Sequence, residues 1–414
     1  MKTYKITILD NGLKIITDYT PRMDGVCVSL WLKTGSRYEN SDEQGFAHLF
    51  EHLLFSGNDK YKDNFEIASV VESRGAKVNG NTGRDYIFFD VKSVIEYAEN
   101  AFDVLSYLVL SPLLKKKDLE KEKSIVLREI HRNKDDNVKW ATRLAYMKNF
   151  EGHPLANDPF GSEENVMRED LEKLKKYYKT VFIPEKAAFI ITGGLAHAQA
   201  EKFAEKYFGK WKRMNNESQK GYGEPLQRKK ENYFFEKREI KETHLRFNYL
   251  VPGVKCDKDN AAIEVMANYI GHGMSTLLNQ ELREKKKLVY SISSHLRIFS
   301  DAGIFSIGTS TRNAAEAICS IKKIMGKLGQ YLSKQSLNEM KMKTINLRRL
   351  QDIEDPLSVW NLGQGFILRD ALFTTKDYIS FINGVTKKQL ITVAKKYFSS
   401  DNLLTVVLGP KDVK

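Results

Sequence analysis

Residues 45–57, GFAHLFEHLLFSG, combine an apolar helix with three ionisable side chains, His48, Glu51 and His52. The apolar residues of this stretch leave little room for a solvated face, so we expect a largely buried helix. Buried ionisable groups are costly unless they are hydrogen bonded or hold a cation. The stretch therefore predicts either a satisfied polar cluster in the core or a metal site.

The composition of the chain is that of a globular protein of more than one domain. It has 414 residues, of which 42% are hydrophobic and 29% are charged, and a length of this order suggests two or more domains. It contains no apolar run long enough for a transmembrane helix, and its N-terminus alternates like a strand and lacks the pattern of a signal peptide. The three cysteines are scattered and predict no disulfide framework. These features favour a cytoplasmic protein.

The formal net charge of +13 raises the question of an anionic partner. Its lysines occur in short groups, such as residues 115–117 and 285–287, without a basic arm or interleaved aromatic residues. We therefore interpret the charge as a solvated, lysine-rich surface and expect neither nucleic acid nor a membrane as a partner. A basic peptide- or nucleic-acid-binding protein with a structural zinc ion remains an alternative.

The chain reads as two halves, residues 1–212 and 232–414, joined by a polar linker at 213–231. The linker, RMNNESQKGYGEPLQRKKE, shows no apolar periodicity. Each half begins with strands, continues with amphipathic helices, and closes with an apolar strand that ends in glycine, at Gly193 and Gly409. This weak internal repeat predicts two α+β domains.

The repeat gives the opening stretch a counterpart in the second half. When Gly57 is matched to Gly271, the residues opposite His48, Glu51 and His52 are respectively Ala262, Val265 and Met266. A structural role would be expected in both copies. Because the second copy has ordinary core residues at these positions, the polar trio is not needed to build the fold.

His48 and His52 are four residues apart, so a helix places them on one face where both can bind one ion. The order His-x-x-Glu-His reverses the commoner zinc signature, and Glu51 lies close enough to contact a water molecule on that ion. Catalytic zinc usually takes three protein ligands. A predicted acidic helix, LEKEKSIVLREIHRN, offers three candidates for the third ligand: Glu120, Glu122 and Glu129.

These motifs resemble those of the pitrilysin/insulinase/mitochondrial-processing-peptidase family of inverted zinc peptidases, in its short-chain branch. His48, Glu51 and His52 match the family motif, and the family's third ligand, a glutamate 77 positions after the second histidine, matches Glu129. Glu122 matches a supporting acidic residue. The resemblance implies two homologous α+β domains, each a mixed, mainly antiparallel sheet with helices on one face, arranged as a clamshell.

The segment KVNGNTGRDYIFF resembles the family's substrate-binding edge strand. Its Asn-Ala-x-Thr core is matched by Asn79, Gly80, Asn81 and Thr82, with glycine in place of alanine at position 80. An exposed edge strand can bind an extended peptide through backbone hydrogen bonds. From the residues alone, a hairpin turn around Asn-Gly is an equal alternative.

In the second half, GHGMSTLLNQELREKKKLVYSI resembles the family segment that brings an arginine and a tyrosine to the substrate. Arg283 and Tyr290 match that pair; taken alone, they read as a surface arginine and a half-buried tyrosine. The chain holds both the metal half and this pair, so the resemblance implies that a homodimer can suffice, with a heterodimer of related chains as an alternative.

The resemblance implies a zinc endopeptidase, with one zinc ion per chain, that hydrolyses unfolded peptides in a chamber. Zinc on His48, His52 and Glu129 would act as the Lewis acid. Glu51 would take a proton from water and pass it to the leaving amine. Glu122 would orient a histidine ligand, and Arg283 and Tyr290 would stabilise the oxyanion. An inactive structural subunit of the same family is a further alternative.

Overall fold

The computed structural model describes residues 3–212 and 232–414. The predicted linker, 213–231, lies outside the described residues. The strands are β1 (Thr3–Ile8), β2 (Lys14–Tyr19), β3 (Gly25–Leu32), β4 (Lys77–Thr82), β5 (Ile87–Val94), β6 (Ala187–Gly193), β7 (Asn232–Lys237), β8 (Thr243–Pro252), β9 (Ile292–Ile298), β10 (Ala302–Thr311) and β11 (Leu403–Gly409).

The helices of the first half are α1 (Phe46–Leu54), α2 (Asn64–Glu72), α3 (Ala98–Leu110), α4 (Lys116–Asp135), α5 (Asn137–Asn149), α6 (Glu163–Arg168), α7 (Leu171–Val181) and α8 (His197–Phe208). Those of the second half are α9 (Asp257–Gly271), α10 (Ala314–Gly326), α11 (Leu328–Lys334), α12 (Leu337–Glu354), α13 (Trp360–Arg369), α14 (Thr375–Gly384) and α15 (Lys387–Tyr397).

Two mixed, mainly antiparallel sheets organise these elements. The first has the strand order β1-β2-β6-β3-β5-β4, and the second β7-β11-β8-β10-β9. In each sheet one pair is parallel, β2 with β6 and β7 with β11, and the other neighbours are antiparallel. When β1 is left out, the first sheet reads β2-β6-β3-β5-β4, and each of its strands matches the strand at the same place in the order β7-β11-β8-β10-β9. The predicted α+β class and the internal repeat are therefore confirmed.

One face of each sheet packs against several helices. In the first sheet, Phe189 of β6 joins a buried cluster with Phe50 of α1 and Phe102 of α3. In the second, Phe247 of β8 packs with residues of α9, α10 and α15 in an equivalent cluster. These two clusters form the main cores, as the apolar, alternating strands predict.

The opposite face of each sheet is also covered, so the prediction of helices on one face is incomplete. On the first sheet, Trp31 packs against α13, where a Cβ atom added at Gly363 would lie 2.3 Å from the Trp31 indole. On the second, Val406 of β11 packs against Ala141 and Leu144 of α5. Strands β6 and β11 are apolar on both faces, and those faces require two covers.

The compact units therefore do not coincide with the two halves of the chain. The first unit comprises the described residues of Met1–His131, Asn157–Lys220 and Asp352–Leu372. The second comprises those of Arg132–Ala156, Gly221–Gln351 and Phe373–Lys414. The first unit includes α13 from the second half of the chain, because α13 covers the second face of the first sheet. The second unit includes α5 from the first half, because α5 covers the second face of the second sheet. The predicted boundaries describe the chain halves but not the units.

In the part of the chain that the structure describes, no helix is both long enough and apolar enough to cross a membrane.

Candidate active site

Helix α1 begins at a glycine, and a carboxylate from an earlier loop caps it. Gly45 has a φ of 103°, which favours glycine, and it offers no side chain to the helix N-terminus. Instead, the backbone N–H groups of Gly45 and Ala47 donate to the Glu39 carboxylate at 2.9 and 2.7 Å. Burial raises the pKa of Glu39 to about 8, against the lowering effect of these two bonds.

The loop that carries Glu39 is held by a buried ion pair. The Arg37 guanidinium donates to Asp85 at 2.7 Å, and both side chains are almost wholly buried. The Asn157 side chain also donates to the backbone carbonyl oxygens of Ser36 and Glu39. The direction of α1, and with it the placement of both histidines, is therefore set by contacts outside the helix.

Helix α4 brings two carboxylates to α1. Glu122 and Glu129 are two turns apart on α4, as the predicted acidic helix required. The Glu129 Oε2 atom lies 3.5 Å from His48 Nε2 and 3.6 Å from His52 Nε2. Glu122 is buried, and its Oε2 atom lies 3.2 Å from His52 Nδ1. Its other oxygen accepts a bond from the Ser56 hydroxyl at 3.2 Å.

These contacts determine the charge states of the two histidines. Burial lowers the pKa of His48 to about 3, so its imidazole is neutral and can donate a lone pair. Burial also opposes protonation of His52, but its bond to Glu122 and the nearby carboxylates outweigh that effect and raise its pKa. In the neutral imidazole, a proton on Nδ1 that is donated to Glu122 leaves Nε2 with the lone pair that a metal ion requires.

The three donor atoms have the chemistry and spacing of a zinc site. Among the described residues, the one group of three or more metal-binding side chains is His48, His52 and Glu129, whose ligand atoms lie within 4.8 Å of one another. Two donors on a tetrahedral zinc ion are separated by about 3.4 Å, close to the 3.5 and 3.6 Å observed. Of the alternative third ligands, Glu120 is exposed and pairs with Lys123 instead.

Glu51 lies beside this group and contacts β4. Its Oε2 atom accepts a bond of 2.5 Å from the Thr82 hydroxyl. Burial raises the pKa of Glu51 to about 7, while the Thr82 bond and the charge on His52 act in the opposite direction. A carboxyl group with a pKa near neutrality suits a residue that both accepts and donates a proton.

The predicted substrate strand is the edge strand β4 of the first sheet. Asn79, Gly80, Asn81 and Thr82 all belong to it, so the alternative of a hairpin turn around Asn-Gly is wrong. Its residues alternate between exposed and half-buried, with Asn79 and Asn81 outward and Gly80 and Thr82 facing α1. One backbone edge of β4 has no neighbouring strand among the described residues.

Arg283 and Tyr290 both belong to the second unit and lie close to each other. Arg283 is in a short π-helix, Asn279–Lys285, and its guanidinium lies 5.5 Å from the centre of the Tyr290 ring. Tyr290 is 85% exposed, so the reading of a half-buried tyrosine is wrong. A cation over an exposed aromatic ring forms a pair that is available for binding. Its predicted role toward the substrate remains a prediction.

Sequence reasoning missed the contacts that support the site. Three contacts were not predicted. The Glu39 carboxylate caps α1, and the Thr82 hydroxyl donates to Glu51. The Phe160 ring packs against the His48 ring, with 4.7 Å between the ring centres. One signal was available, because a helix that begins with glycine needs a cap from elsewhere and Glu39 is an acidic residue in the preceding loop. The Thr82 and Phe160 contacts join segments far apart in the chain and leave no local pattern.

Two family models match the chain. Residues 14–162 match the model described as Insulinase (Peptidase family M16), and residues 168–344 match the one described as Peptidase M16 inactive domain. The first range contains His48, Glu51, His52 and Glu129. The second contains Ala262, Val265 and Met266, the counterparts without metal-binding groups.

Relatives and solved structures agree with these matches. A Bacillus subtilis protein named as the uncharacterized zinc protease YmxG is 26% identical over 96% of this chain and 96% of its own length. A Rickettsia felis protein, named as an uncharacterized zinc protease, is 23% identical over 100% of this chain and 99% of its own length. The crystal structure of a Helicobacter pylori protease superposes with a TM-score of 0.89 at 20% identity, over 99% of this chain and 100% of that one, which shows a shared fold.

Proposed function

The chain belongs to the M16 (insulinase) family of peptidases, and on that premise we propose that it is a zinc-dependent endopeptidase acting on unfolded peptides. The observation that carries the proposal is the convergence of two imidazole nitrogens and one carboxylate oxygen on a common point. Lone pairs that face one another at 3.5 to 3.6 Å repel unless a proton or a cation lies between them. The names of the zinc protease relatives favour zinc as that cation.

Three residues of this chain would hold the ion: His48, His52 and Glu129. When bound, zinc supplies Lewis-acid chemistry, which acidifies water and polarises a carbonyl group. Glu122 accepts the His52 Nδ1 proton, and that bond fixes the ring with Nε2 toward Glu129. We propose one zinc ion per chain.

Glu51 is the proposed proton carrier. It belongs to α1 and lies one residue before His52, and its Oε2 atom accepts a hydrogen bond from the Thr82 hydroxyl. It would take a proton from the attacking water and deliver that proton to the leaving amine. The raised pKa of Glu51 supports both transfers near neutral pH.

The remaining parts of the proposal concern substrate and assembly. The edge of β4 that has no neighbouring strand within residues 3–212 and 232–414 suits an extended peptide, whose backbone would add to the sheet as a further strand. Arg283 and Tyr290 would stabilise the developing oxyanion. We propose a chamber in a homodimer, without nucleic-acid or membrane partners, in the cytoplasm. Free thiols at Cys27, Cys256 and Cys319 agree with a reducing compartment.

The test measures zinc content and cleavage of an unstructured fluorogenic peptide by the same preparation. Wild type should bind one zinc ion and lose cleavage with a chelator, and added zinc should restore it. Glu51→Gln should keep the zinc and lower cleavage by about 10²–10⁴-fold. A wild-type chain that binds zinc but cleaves no peptide would indicate an inactive subunit. Loss of zinc from a folded Glu51→Gln variant would contradict the role of Glu51.

A further inference from the structure

The inner face of β4 contacts the side chain of Glu51. Every second residue of β4, namely Val78, Gly80 and Thr82, lies on this half-buried face, whereas the residues between them are exposed. Because side chains alternate across a strand, a single edge strand presents different groups to α1 and to solvent. The strand proposed to bind substrate therefore also touches the residue proposed to carry the proton.

Two features of β4 constrain the Glu51 carboxylate. The Thr82 hydroxyl donates to Oε2 at 2.5 Å. At Gly80, an added Cβ atom would lie 2.8 Å from Oε1 and 2.9 Å from the ring of Phe55. The Thr82 hydroxyl thus binds Oε2, and the missing side chain of Gly80 leaves space that Oε1 occupies.

Glu51 depends on this contact for its orientation. Within residues 3–212 and 232–414, the Thr82 hydroxyl is the hydrogen-bond partner that the structure gives to the Glu51 carboxylate. A glutamate has three rotatable side-chain bonds, and a carboxylate without a partner would sample several positions. The hydroxyl selects the rotamer in which Oε2 points to β4.

We propose that Thr82 is a positioning residue for Glu51, because its hydroxyl holds one oxygen of the Glu51 carboxylate against β4. This inference rests on the proposed function, since it concerns the proton carrier of the same site. In the proposed function, the backbone of β4 binds the substrate. The inward-facing side chains of β4 thereby have a separate role. A displacement of about 1 Å at a catalytic group can cost on the order of 10²-fold in rate.

The first experiment tests the contact without using activity. The thermal midpoints of four metal-free proteins are compared: wild type, Thr82→Val, Glu51→Ala and the double variant. If the hydroxyl bonds to Glu51, Thr82→Val lowers the midpoint of wild type but not that of Glu51→Ala. Equal shifts in the two backgrounds would overturn the proposal, whatever the activity of the chain.

The second experiment uses the zinc-loaded protein and an unstructured peptide. Thr82→Val should lower kcat by about 10- to 100-fold, while KM changes less than twofold and zinc content stays constant. Thr82→Ser retains the hydroxyl and should restore most of kcat. Thr192→Val is the matched control, because it removes a threonine hydroxyl that donates to the Leu357 carbonyl in the same sheet and unit; it should leave kcat unchanged.

The outcomes separate this inference from the proposed function. Wild-type kcat in Thr82→Val, with an active wild type, would overturn the positioning role and leave the peptidase assignment standing. No chelator-sensitive cleavage by zinc-loaded wild type would overturn the peptidase assignment, and the thermal comparison would still decide whether Thr82 binds Glu51. A failure of Thr82→Ser to restore kcat would show that strand packing, and not the hydroxyl, matters.

Discussion

Helices α1 and α9 occupy the same place in the two copies of the repeated topology, but only α1 carries the His-x-x-Glu-His trio. Each follows the central strand of its sheet, β3 or β8, and precedes the edge strand, β4 or β9. The residues of α9 that correspond to the polar trio, Ala262, Val265 and Met266, are fully buried in the core. The same topology is therefore built in the second sheet with apolar residues at these positions, as expected if the trio of α1 has the chemical role proposed above.

The strongest test of this comparison gives α1 the residues of α9. In the triple variant His48→Ala, Glu51→Val, His52→Met, we expect zinc binding to be lost and peptide cleavage to fall to background. Since three partly buried polar groups are replaced by core residues, the thermal midpoint should equal or exceed that of metal-free wild type. Zinc content, cleavage rate and melting curves check this. An unfolded triple variant would show that α1 needs its polar side chains for folding.

The next test concerns the proposed contribution of the second unit, the pair Arg283 and Tyr290. Arg283→Ala and Tyr290→Phe should each lower kcat at unchanged zinc content, with a cost of about 2–4 kcal/mol if they serve an oxyanion. Neither change should lower stability, because Tyr290 is exposed and its contact with Arg283 is on the surface. Steady-state kinetics and metal analysis decide it, with the exposed Arg349→Ala as a control. Wild-type kcat in both variants would restrict the second unit to a structural role.

A smaller effect is expected from Glu122, the carboxylate that contacts the candidate ligand His52. Glu122→Gln should weaken zinc binding by about 10- to 100-fold, because it weakens the bond that orients His52. Zinc affinity measured by competition with a chelator gives the ratio. Glu120→Gln removes an exposed carboxylate on the same helix and should leave the affinity unchanged. The reverse result would move the third ligand to Glu120.

The smallest effect is expected near the N-terminus of α1, where a second buried carboxyl group lies near Glu39. Burial raises the pKa of Glu169 to about 8, and the charge of Glu39 adds to that rise against the lysines nearby. A pKa above its unfolded value means that the folded state holds the proton, so stability falls as pH rises from about 4.5 to about 8. Glu169→Gln should reduce this fall, with a midpoint roughly 2–4 °C above wild type at pH 8.5 and little difference at pH 5. Parallel curves would contradict the prediction.

Local patterns sufficed for much of the fold. The apolar strands ending at Gly193 and Gly409 and the amphipathic helices predicted two α+β halves, and the sheets have that form. The covers of the second faces were not predictable in the same way. Helices α5 and α13 are amphipathic, but nothing in an amphipathic pattern identifies the surface that it will meet. Their exchange between halves is a long-range property.

In the candidate site, too, the residues fixed by local spacing were predictable and the contacts between distant segments were not. His48 and His52 were predictable because a four-residue spacing fixes their relation on a helix. The residues left three acids open for the third ligand, and the choice of Glu129 came from the family resemblance; the structure brings Glu129, and not Glu120, to both histidines. The contacts of Glu39 and Thr82 depend on how separate segments pack, so no spacing could identify them.

The exchange of α5 and α13 also has a consequence for how the protein is made. On a ribosome, the strands of the first sheet emerge long before α13, which covers Trp31 and the apolar face around it. That face stays exposed to water, or is covered by a chaperone, until α13 has been synthesised. The second sheet has no such delay, because α5 is already present when its strands emerge. Completion of the first unit therefore has to await α13, so a chain terminated before that helix would carry the candidate metal ligands on an unfinished unit.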